Sequence, residues 1–348
     1  MENAKGDCKL KEQKVSVAIA TYNGEKYIEE QLRSILEQTV PVCEIVISDD
    51  GSSDRTLDIV RSLAECPKAD KIEFVLIQDN PRQGPGGNCE WALSHCTGDY
   101  IFICGQDDIW LPNKVEAVLS AFENHPDALC VLHNARLIDS DGNSLQKKFM
   151  DHPGGQALME YCREHKDIII PLSLLETSFE YTLVSGVAVV IKKELLEGLF
   201  PIPARMEDQW IEFKAVSEGR CVFLNEELTL YRRHSENVSG SKTKGRKRIS
   251  HFFKYLNTAG NRHAVYFYPY EFSGLCLEQM ERMNLNGEKA YQAALSMNKM
   301  GVQKKEAYDQ GGIPAVLKLI GLYHNNLLYK RSSGPWGLFF DILFVIRQ

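Results

Sequence analysis

The sequence predicts an α/β fold with a mostly parallel sheet, because short apolar runs alternate with segments of helical periodicity. Polar residues follow these runs directly, as expected where parallel strands end at one edge of a sheet. The chain has 348 residues, of which 44% are hydrophobic, and this is enough for a sizeable core. Its formal net charge of −7 argues against general nucleic-acid binding.

The first part of the chain contains four apolar runs that are typical of buried strands. These runs cover residues 15–20, 44–48, 72–77 and 99–104. Helices are predicted between them at residues 27–36, 57–63 and 88–94. Ser52 or Ser53 is placed to cap the second helix. Two later runs are predicted to extend the sheet, at residues 128–133 and 183–191. The alternation is typical of βαβ units.

Polar residues gather where the predicted strands end. They are Tyr22, Asn23, Asp49, Asp50, Asn80, Arg82, Asp107 and Asp108. Each group taken alone is compatible with a solvated turn. Ligands bind outside the carboxyl ends of the strands in open α/β sheets, so polar residues at four consecutive strand ends predict a ligand site.

The carboxylates of Asp107 and Asp108 are adjacent at the end of the fourth predicted strand, a pattern suited to a hard divalent cation. No GxGxxG follows the first strand, which argues against the usual dinucleotide-binding fold. The glycine-rich stretch 84–87 lacks the Lys and Ser/Thr of a phosphate-binding P-loop. If the ligand carries phosphates, carboxylates in place of an amide-rich loop imply that a metal ion holds them.

Several motifs, taken together, resemble glycosyltransferase family 2, whose members have the GT-A fold. They are residues 15–23, Ile45-Val-Ile-Ser-Asp-Asp-Gly-Ser-Ser-Asp54, Gly98-Asp-Tyr-Ile101 and Gln106-Asp-Asp-Ile-Trp-Leu-Pro112. Three later motifs resemble the branch that includes bacterial rhamnosyltransferases. They are Glu207-Asp-Gln-Trp210, Leu230-Tyr-Arg-Arg-His234 and Asn237-Val-Ser-Gly240. The resemblance covers residues 14–240, for which it implies a GT-A glycosyltransferase domain.

The resemblance implies inverting transfer of a sugar from a nucleotide diphosphate sugar of the dTDP or UDP type, with Mg²⁺ or Mn²⁺. Tyr22 would lie against the base, Asp50 would accept hydrogen bonds from it, and Asp208 would be the catalytic base. The nucleotide-sugar site would comprise Ala20, Tyr22, Asn23, Asp50, Arg82, Asp107 and Asp108. The metal ligands would be Asp107 and His234. Contacts to the acceptor would come from Glu207 and Trp210.

Each of the later motifs also has a purely structural interpretation. Carboxylates such as Glu207 and Asp208 are favoured at the start of any helix. A histidine such as His234 is common on surfaces and in cores, and the neighbouring Arg232 or Arg233 would suit a phosphate. Aromatic rings that would suit a sugar are more often core residues. The rings in question are those of Trp110, Tyr181 and Trp210.

Two positions depart from the family pattern. Gly105 replaces the first Asp of the family's Asp-x-Asp element, and Gly87 stands where relatives often have a basic residue. Arg82 is a candidate to supply that missing charge. Asp107 and Asp208 are both present, so we expect an active enzyme with altered donor contacts.

Composition and the chain ends predict a cytoplasmic protein. The ten cysteines show neither a CxxC motif nor metal-ligand spacing, which indicates reduced thiols, and Cys104 is expected in the core. Residues 1–14 are polar and lack the apolar segment of a secretion signal.

A basic linker is predicted at residues 241–250, followed by a helical C-terminal region at 251–348. Helices are expected at 252–283, 289–300 and 314–329. The apolar segment 336–346 is too short to span a bilayer. It would either lie in the membrane interface, helped by Lys330 and Arg331, or pack on its own domain or a second subunit.

These observations favour an inverting glycosyltransferase of surface polysaccharide synthesis, with rhamnose as the first candidate sugar and a saccharide or lipid-linked saccharide as acceptor. One alternative is a non-catalytic module that binds sugar nucleotides. Another is a sugar nucleotidyltransferase, which would show a glycine-rich loop followed by Arg and Lys near the first strand. No such loop is present.

Overall fold

The computed structural model of the protein describes residues 13–79, 81, 84–151, 153–163, 167–174, 183–202, 207–235, 237, 272–282, 284, 289–325 and 342. These residues belong to two compact units. One lies within residues 1–174 and 181–241, and the other within residues 175–180 and 242–348.

The first unit is built on one mixed sheet, in which ten strands are described. They are β1 (Val15–Thr21), β2 (Glu44–Asp49), β3 (Glu73–Ile77), β4 (Tyr100–Cys104), β5 (Ile109–Trp110), β6 (Cys130–Ile138), β7 (Ser144–Lys148), β8 (Asp167–Ile169), β9 (Val189–Lys192) and β10 (Cys221–Arg232). The main order is β3-β2-β1-β4-β9-β6-β10-β5, with β7 beside β6 and β8 beside β10.

Strands β3, β2, β1 and β4 are parallel, as the sequence predicts. Strand β9 runs antiparallel between β4 and β6, whereas β6 and β10 are parallel to each other. In the register of β1, Thr21 pairs with Asp49 of β2, and Ile19 pairs with Cys104 of β4. The first, second and fourth strands therefore end at the same edge, and their following loops meet there.

Six helices accompany this sheet in the described residues. They are α1 (Ile28–Leu36), α2 (Thr56–Ala64), α3 (Pro85–Ser94), α4 (Lys114–Asn124), α5 (Pro153–Tyr161) and α6 (Glu207–Ser217). Helix α1 buries Ile28, Leu32 and Ile35, which recur at helical spacing, against the apolar face of β1. Cys104 is buried in the same core, as expected. The sheet and helix predictions for this part of the chain are confirmed.

Two local predictions are wrong. Neither Ser52 nor Ser53 caps α2; instead Oδ1 of Asp54 accepts the backbone N–H of Thr56 at 3.0 Å. The strand predicted at 183–191 is shorter, because only Val189–Lys192 joins the sheet and a 3-10 turn at 186–188 precedes it. The backbone N–H groups at 183 and 184 bond to a buried glutamate, so they do not pair with a strand.

The second unit is helical in its described part. It contains α7 (residues 272–282), α8 (Lys289–Gln310) and α9 (Gly312–Asn325). Helix α7 falls within the helix predicted at 252–283, α8 is longer than the helix predicted at 289–300, and α9 begins two residues before the helix predicted at 314–329, whose residues 326–329 lie outside the described part of the chain. Helices α8 and α9 pack through a small cluster. Its buried members are Ala307, Tyr308, Ala315 and Leu319. The predicted linker 241–250 and the apolar segment 336–346, apart from residue 342, lie outside the described residues. None of the described helices is long and apolar enough to cross a membrane.

Candidate active site

The loop after β1 presents the ring of Tyr22, whose exposed fraction is 56%. Gln106 holds the backbone at this position from the loop after β4. Its Oε1 accepts the Tyr22 N–H at 2.9 Å, and its Nε2 donates to the Tyr22 carbonyl at 3.1 Å. A Cβ at Gly24 would overlap this amide, so the glycine is required for the contact. Gln106 thus fixes the Tyr22 loop relative to the adjacent carboxylates, a role that sequence reasoning missed.

Asn23 shapes the same loop. Its backbone has a positive φ of 48°, which asparagine tolerates better than most residues. Its Oδ1 accepts the N–H of Ser53 at 2.9 Å, and its own N–H donates to Ser52 Oγ at 2.8 Å. The loops after β1 and β2 are therefore bonded to each other, and Asn23 connects them.

The end of β2 places two aspartates in different environments. Asp49 is buried and accepts hydrogen bonds from the Thr21 hydroxyl at 2.9 Å and from the Ser52 N–H at 2.7 Å, so it stabilises the loop. Asp50 accepts the N–H of Gly84 at 2.9 Å through Oδ2. Its Oδ1 is buried and receives no hydrogen bond from the described residues. This oxygen is suited to accept a hydrogen bond from a ligand.

Two further nucleotide-site predictions concern Ala20 and Arg82. Ala20 lies next to Ser48 in the parallel register of β1 and β2, just before the exposed ring of Tyr22. Arg82 lies outside the described residues.

The loop after β4 and the end of β10 meet at Asp107. His234 Nε2 lies 2.7 Å from Asp107 Oδ2, and Asn237 Nδ2 donates to the same oxygen at 3.2 Å. The side chains of Asp107 and His234 are only 17% and 9% exposed. The ring of Tyr27, with its centroid 4.8 Å away, packs against the imidazole. The structure thus brings together the two residues that sequence reasoning assigned to the metal.

Asp108 is fully buried beside them. Its Oδ1 accepts the backbone N–H of Arg232 at 2.9 Å, whereas its Oδ2 has no partner among the described residues. Burial, and after it the charge of Asp107, hold the pKa of the Asp108 carboxyl well above its usual range. An unpaired buried carboxylate oxygen is costly unless a donor or a cation reaches it.

Gly105 leaves room for these carboxylates. A Cβ at this position would lie 3.1 Å from Asp107 Oδ1 and 3.1 Å from Asp108 Oδ2. Both oxygens therefore point toward the space that the first acid of the family's Asp-x-Asp element would enter. A side chain at this position would therefore crowd both carboxylates.

Arg232, at the end of β10, binds the loop that contains Asp107 and Asp108. The side chain is 2% exposed, its Nε donates to the Asp107 carbonyl at 2.8 Å, and its Nη2 bonds Glu30 at 2.6 Å. Its guanidinium also lies over the ring of Tyr27, 4.8 Å from the centroid. These bonds place Arg232 in the framework of the site, in contrast to the phosphate contact considered for it.

The residue types at the Asp107 loop are ones that bind divalent cations. They offer the carboxylate of Asp107, the unpaired Oδ2 of Asp108 and the imidazole of His234. No group of three or more His, Cys, Asp and Glu side chains in the described ranges is already arranged to hold a metal. A cation here would thus need further oxygen ligands, such as those of a diphosphate.

Asp208 lies at the start of α6 with its carboxylate against the backbone of Gly186, where an added Cβ would overlap Oδ1. The next residue in that turn, Val187, approaches Gly105: its Cγ1 would be 3.5 Å from a Cβ added there. The turn at 186–188 therefore lies between Asp208 and the loop of Asp107. Glu207 begins α6 at the same end.

The aromatic rings considered for sugar binding lie mainly in the core. Trp210, assigned to the acceptor, is buried, donates to the Leu199 carbonyl at 2.9 Å and stacks on Phe213. Trp110 is also buried, whereas Tyr181 lies outside the described residues. The assignment of Trp210 to an open acceptor face is corrected accordingly, because its indole is already packed and hydrogen-bonded.

Known proteins resemble this chain in sequence. The profile named Glycosyl transferase family 2 matches residues 16–197, more than half of the chain. An uncharacterized glycosyltransferase of Nostoc is 29% identical over 228 residues, which are 64% of this chain and 66% of that protein. The GalNAc(5)-diNAcBac-PP-undecaprenol beta-1,3-glucosyltransferase of Campylobacter jejuni is 31% identical over 136 residues, 39% of this chain and 42% of that one. Each match spans less than two thirds of the relative.

The fold also resembles a solved structure. S. aureus TarS 1–349 in complex with UDP-GlcNAc superposes with a TM-score of 0.54 at 17% identity, covering 95% of this chain and 90% of that one. At this identity the likeness concerns the fold alone. The family match, the ordered motifs and the GT-A architecture together show that this chain belongs to glycosyltransferase family 2.

Proposed function

We propose that the protein transfers a sugar from a nucleotide diphosphate sugar to an acceptor hydroxyl, with inversion at the anomeric carbon. One observation carries this proposal: the turn at 186–188 separates the carboxylate of Asp208 from the Asp107–His234 pair. Inverting transfer needs a proton acceptor on one side of the sugar and stabilisation of the leaving diphosphate on the other.

For the nucleotide, the proposal relies on two groups at neighbouring strand ends. The half-exposed ring of Tyr22 offers a flat face for the base, and the unpaired Oδ1 of Asp50 offers a hydrogen-bond acceptor. Gln106 supports this arrangement, because it fixes the backbone of Tyr22. We place Ala20, Asn23 and Arg82 in the same donor site.

We propose that Asp107 and His234 hold Mg²⁺ or Mn²⁺ with Asp108 beside them. A bound divalent cation supplies positive charge that stabilises the departing diphosphate. Carboxylate oxygens suit either ion, and the buried Asp108 Oδ2 gains an opposite charge in that arrangement. Arg232 keeps the loop in place through the Asp107 carbonyl and the Asp108 carboxylate.

Asp208 is the proposed catalytic base. An acceptor hydroxyl must lose its proton as its oxygen attacks the anomeric carbon, and a positioned carboxylate takes such a proton. Asp208 lies at the start of α6, with its carboxylate against the backbone of Gly186. Glu207, its neighbour, is assigned to the acceptor.

The substrate class is inferred from the relatives. The TarS complex contains UDP-GlcNAc, which supports a UDP sugar, and the name of the Campylobacter enzyme supports a lipid-linked saccharide acceptor. Rhamnosyl transfer from a dTDP donor is the alternative suggested by the later motifs. We place the reaction in surface polysaccharide synthesis in the cytoplasm.

For the organisation of the chain, we propose a transferase domain at 14–240, a basic linker at 241–250 and a helical region at 251–348. That last region would bring the enzyme to the inner face of the membrane or join two subunits.

The test is a donor screen on the purified full chain. UDP-glucose, UDP-GlcNAc, GDP-mannose and dTDP-rhamnose are each incubated with the protein in Mn²⁺, in Mg²⁺ and in EDTA, and release of nucleoside diphosphate is measured. Metal-dependent release from one donor supports the proposal. Binding without release, with acceptors present, indicates a non-catalytic module. Formation of a sugar nucleotide from a sugar phosphate and a nucleoside triphosphate indicates a nucleotidyltransferase.

A further inference from the structure

Residues 183–187 form a short segment that contacts both halves of the candidate site. Gly186 lies directly against the carboxylate of Asp208. Val187 lies close to Gly105, since its Cγ1 would be 3.5 Å from a Cβ added there. The position of this segment therefore determines how far Asp208 lies from residues 105–108, here called the acidic loop.

One end of the segment is attached to α6 by Glu212. This side chain is fully buried one helical turn after Asp208. Its Oε2 accepts the N–H of Leu183 at 3.0 Å, and its Oε1 accepts the N–H of Val184 at 2.8 Å. Burial raises the pKa of Glu212 to about 8; the two N–H bonds oppose this shift and the charge of Asp208 adds to it.

The other end of the segment is attached to α4 by Lys114, which is also fully buried. Its Nζ donates to the Val187 carbonyl and to Thr229 Oγ1, both at 3.0 Å, and lies 4.1 Å from the centroid of Trp110. Burial lowers the pKa of Lys114 to about 7. Helix α4 follows the acidic loop closely in sequence, so this bond ties the segment to that half of the site.

Burial of the Glu212 and Lys114 side chains is unfavourable for the stability of the fold. A buried carboxyl and a buried amine lose the hydration that they have in water, and each recovers only part of it through its bonds. Apolar side chains would avoid that cost, but they would take these hydrogen bonds from the N–H groups of Leu183 and Val184 and from the Val187 carbonyl. Both polar groups bond the backbone of the same five residues, which indicates that the position of those residues is what they secure.

We propose that Glu212 and Lys114 are positioning residues: they hold residues 183–187 as a spacer that sets Asp208 at the correct distance from the acidic loop. This inference rests on the proposed function, in which Asp208 is the base. Displacement of a reacting group by roughly 1 Å costs about 10²-fold in rate. Loosening the spacer should therefore slow transfer and leave donor binding unchanged.

The principal test is Glu212→Gln in the full chain. The amide keeps one acceptor oxygen but turns an NH₂ group toward the second backbone N–H, so one of the two bonds is lost. We expect kcat for transfer to fall about 10-fold to 100-fold, with the Kd for UDP in Mn²⁺ unchanged. Amide hydrogen exchange at residues 183–188 should become faster.

A matched control is Glu218→Gln, the same change in the turn directly after the end of α6. Glu218 pairs with Lys214 at 3.0 Å and has no bond to the spacer. This variant should keep wild-type kcat and wild-type exchange. Gly186→Ala is a second test if Glu212→Gln does not fold, since its Cβ displaces Asp208 directly. It should lower kcat with the same unchanged Kd for UDP.

Two results would overturn the inference. One is wild-type kcat together with wild-type exchange in Glu212→Gln. The other is a loss of kcat matched by an equal loss of UDP affinity, which indicates general loosening of the domain. If the wild-type chain releases no nucleoside diphosphate from any donor, the proposed function itself fails and the positioning role falls with it. Exchange at 183–188 requires no turnover, so it still decides whether Glu212 anchors the segment.

Discussion

His234 Nε2 lies 2.7 Å from Asp107 Oδ2, although 127 positions separate the two residues in the chain. Arg232 produces this proximity, because its backbone N–H bonds Asp108 and its guanidinium bonds the Asp107 carbonyl. Once β10 is fixed in this way, the imidazole two residues later lies at the acidic loop. Tyr27 closes the other side of the imidazole ring.

The first prediction concerns this pair. His234→Ala and Asp107→Asn should each weaken Mn²⁺-dependent binding of UDP by at least about 10-fold to 100-fold, the range found when even an outer partner of a metal ligand is removed. Calorimetric titration of UDP with Mn²⁺ and with EDTA measures the effect. Asp58→Asn on α2 is the control, because this aspartate is exposed and pairs only with Arg61 among the described side chains. Equal Mn²⁺ dependence in all three variants would refute the assignment.

The second prediction concerns Tyr22, whose ring is proposed to stack on the base. Stacking of a base on an aromatic side chain contributes roughly 1–3 kcal/mol. Tyr22→Ala should therefore raise the Kd for UDP about 5-fold to 150-fold without lowering the melting temperature. Tyr161→Ala, which removes a similarly exposed ring from α5, should leave the Kd unchanged. A wild-type Kd in Tyr22→Ala would remove this residue from the donor site.

The parallel half of the sheet was predictable because its strands are continuous apolar runs between helical segments. Residues 183–191 were not predictable in the same way. They read as one strand, yet Glu212 takes the backbone N–H groups of Leu183 and Val184, and a 3-10 turn replaces the first half of the expected strand. A bond to a residue about thirty positions later has no local pattern in the sequence.

The resemblance to the family placed Asp107 and His234 in one site, and the two side chains do lie in contact; their role as metal ligands stays a prediction. The site was not predictable where packing decides exposure. The sequence allowed Trp210 to contact a sugar with its ring, but its indole is buried against Phe213. Gln106 was missed because a glutamine between a glycine and an aspartate has no distinctive pattern. Only the fold shows that it bonds both backbone groups of Tyr22.

Gly105 gives the third prediction. Gly105→Asp restores the acid that the family has at this position and adds a third carboxylate to the loop. Its Cβ would lie 3.1 Å from Asp107 Oδ1 and 3.1 Å from Asp108 Oδ2. We expect a lower melting temperature in EDTA, with a loss of roughly 1–3 kcal/mol typical of overpacking, and a smaller loss in Gly105→Ala. Mn²⁺ should restore part of the Asp variant's stability, because a bound cation stabilises the native state. If Gly105→Asp melts in EDTA at or above the wild-type temperature, the added side chain does not crowd Asp107 and Asp108.

The fourth prediction is a pH dependence. The pKa of Glu212 is raised to about 8 in the folded chain from a usual value of 4.5, so the folded state binds more protons than the unfolded state between these two values. The stability that the protonated group contributes is complete below pH 4.5 and is lost as pH rises through 8. Glu212→Gln does not titrate in this window.

The difference in unfolding free energy between wild type and Glu212→Gln should therefore shrink, and then reverse in favour of the variant, at roughly 1.4 kcal/mol per pH unit. Urea unfolding of both proteins at pH 5.5, 6.5 and 7.5 measures this slope. A difference independent of pH would mean that Glu212 keeps an ordinary pKa.

The last prediction concerns Asp208 as the base. Asp208→Asn keeps the size of the side chain and its place against Gly186 but removes the proton acceptor. Transfer to a true acceptor should fall about 10²-fold to 10⁴-fold, because a positioned general base contributes that much. The Kd for UDP in Mn²⁺ should stay at its wild-type value, since the base does not contact the nucleotide in the proposed arrangement. Single-turnover transfer and calorimetry measure the two quantities.

Asp208→Glu and Glu207→Gln complete the comparison. The first keeps a carboxylate but moves it by one methylene toward Gly186, so it should retain more activity than Asp208→Asn while staying below wild type. The second changes the neighbouring carboxylate at the start of α6 and should keep the proton acceptor intact. If Asp208→Asn turns over near the wild-type rate while Glu207→Gln loses activity by the larger factor, then Glu207 is the base. In that case the contact between Asp208 and Gly186 serves only to position the spacer.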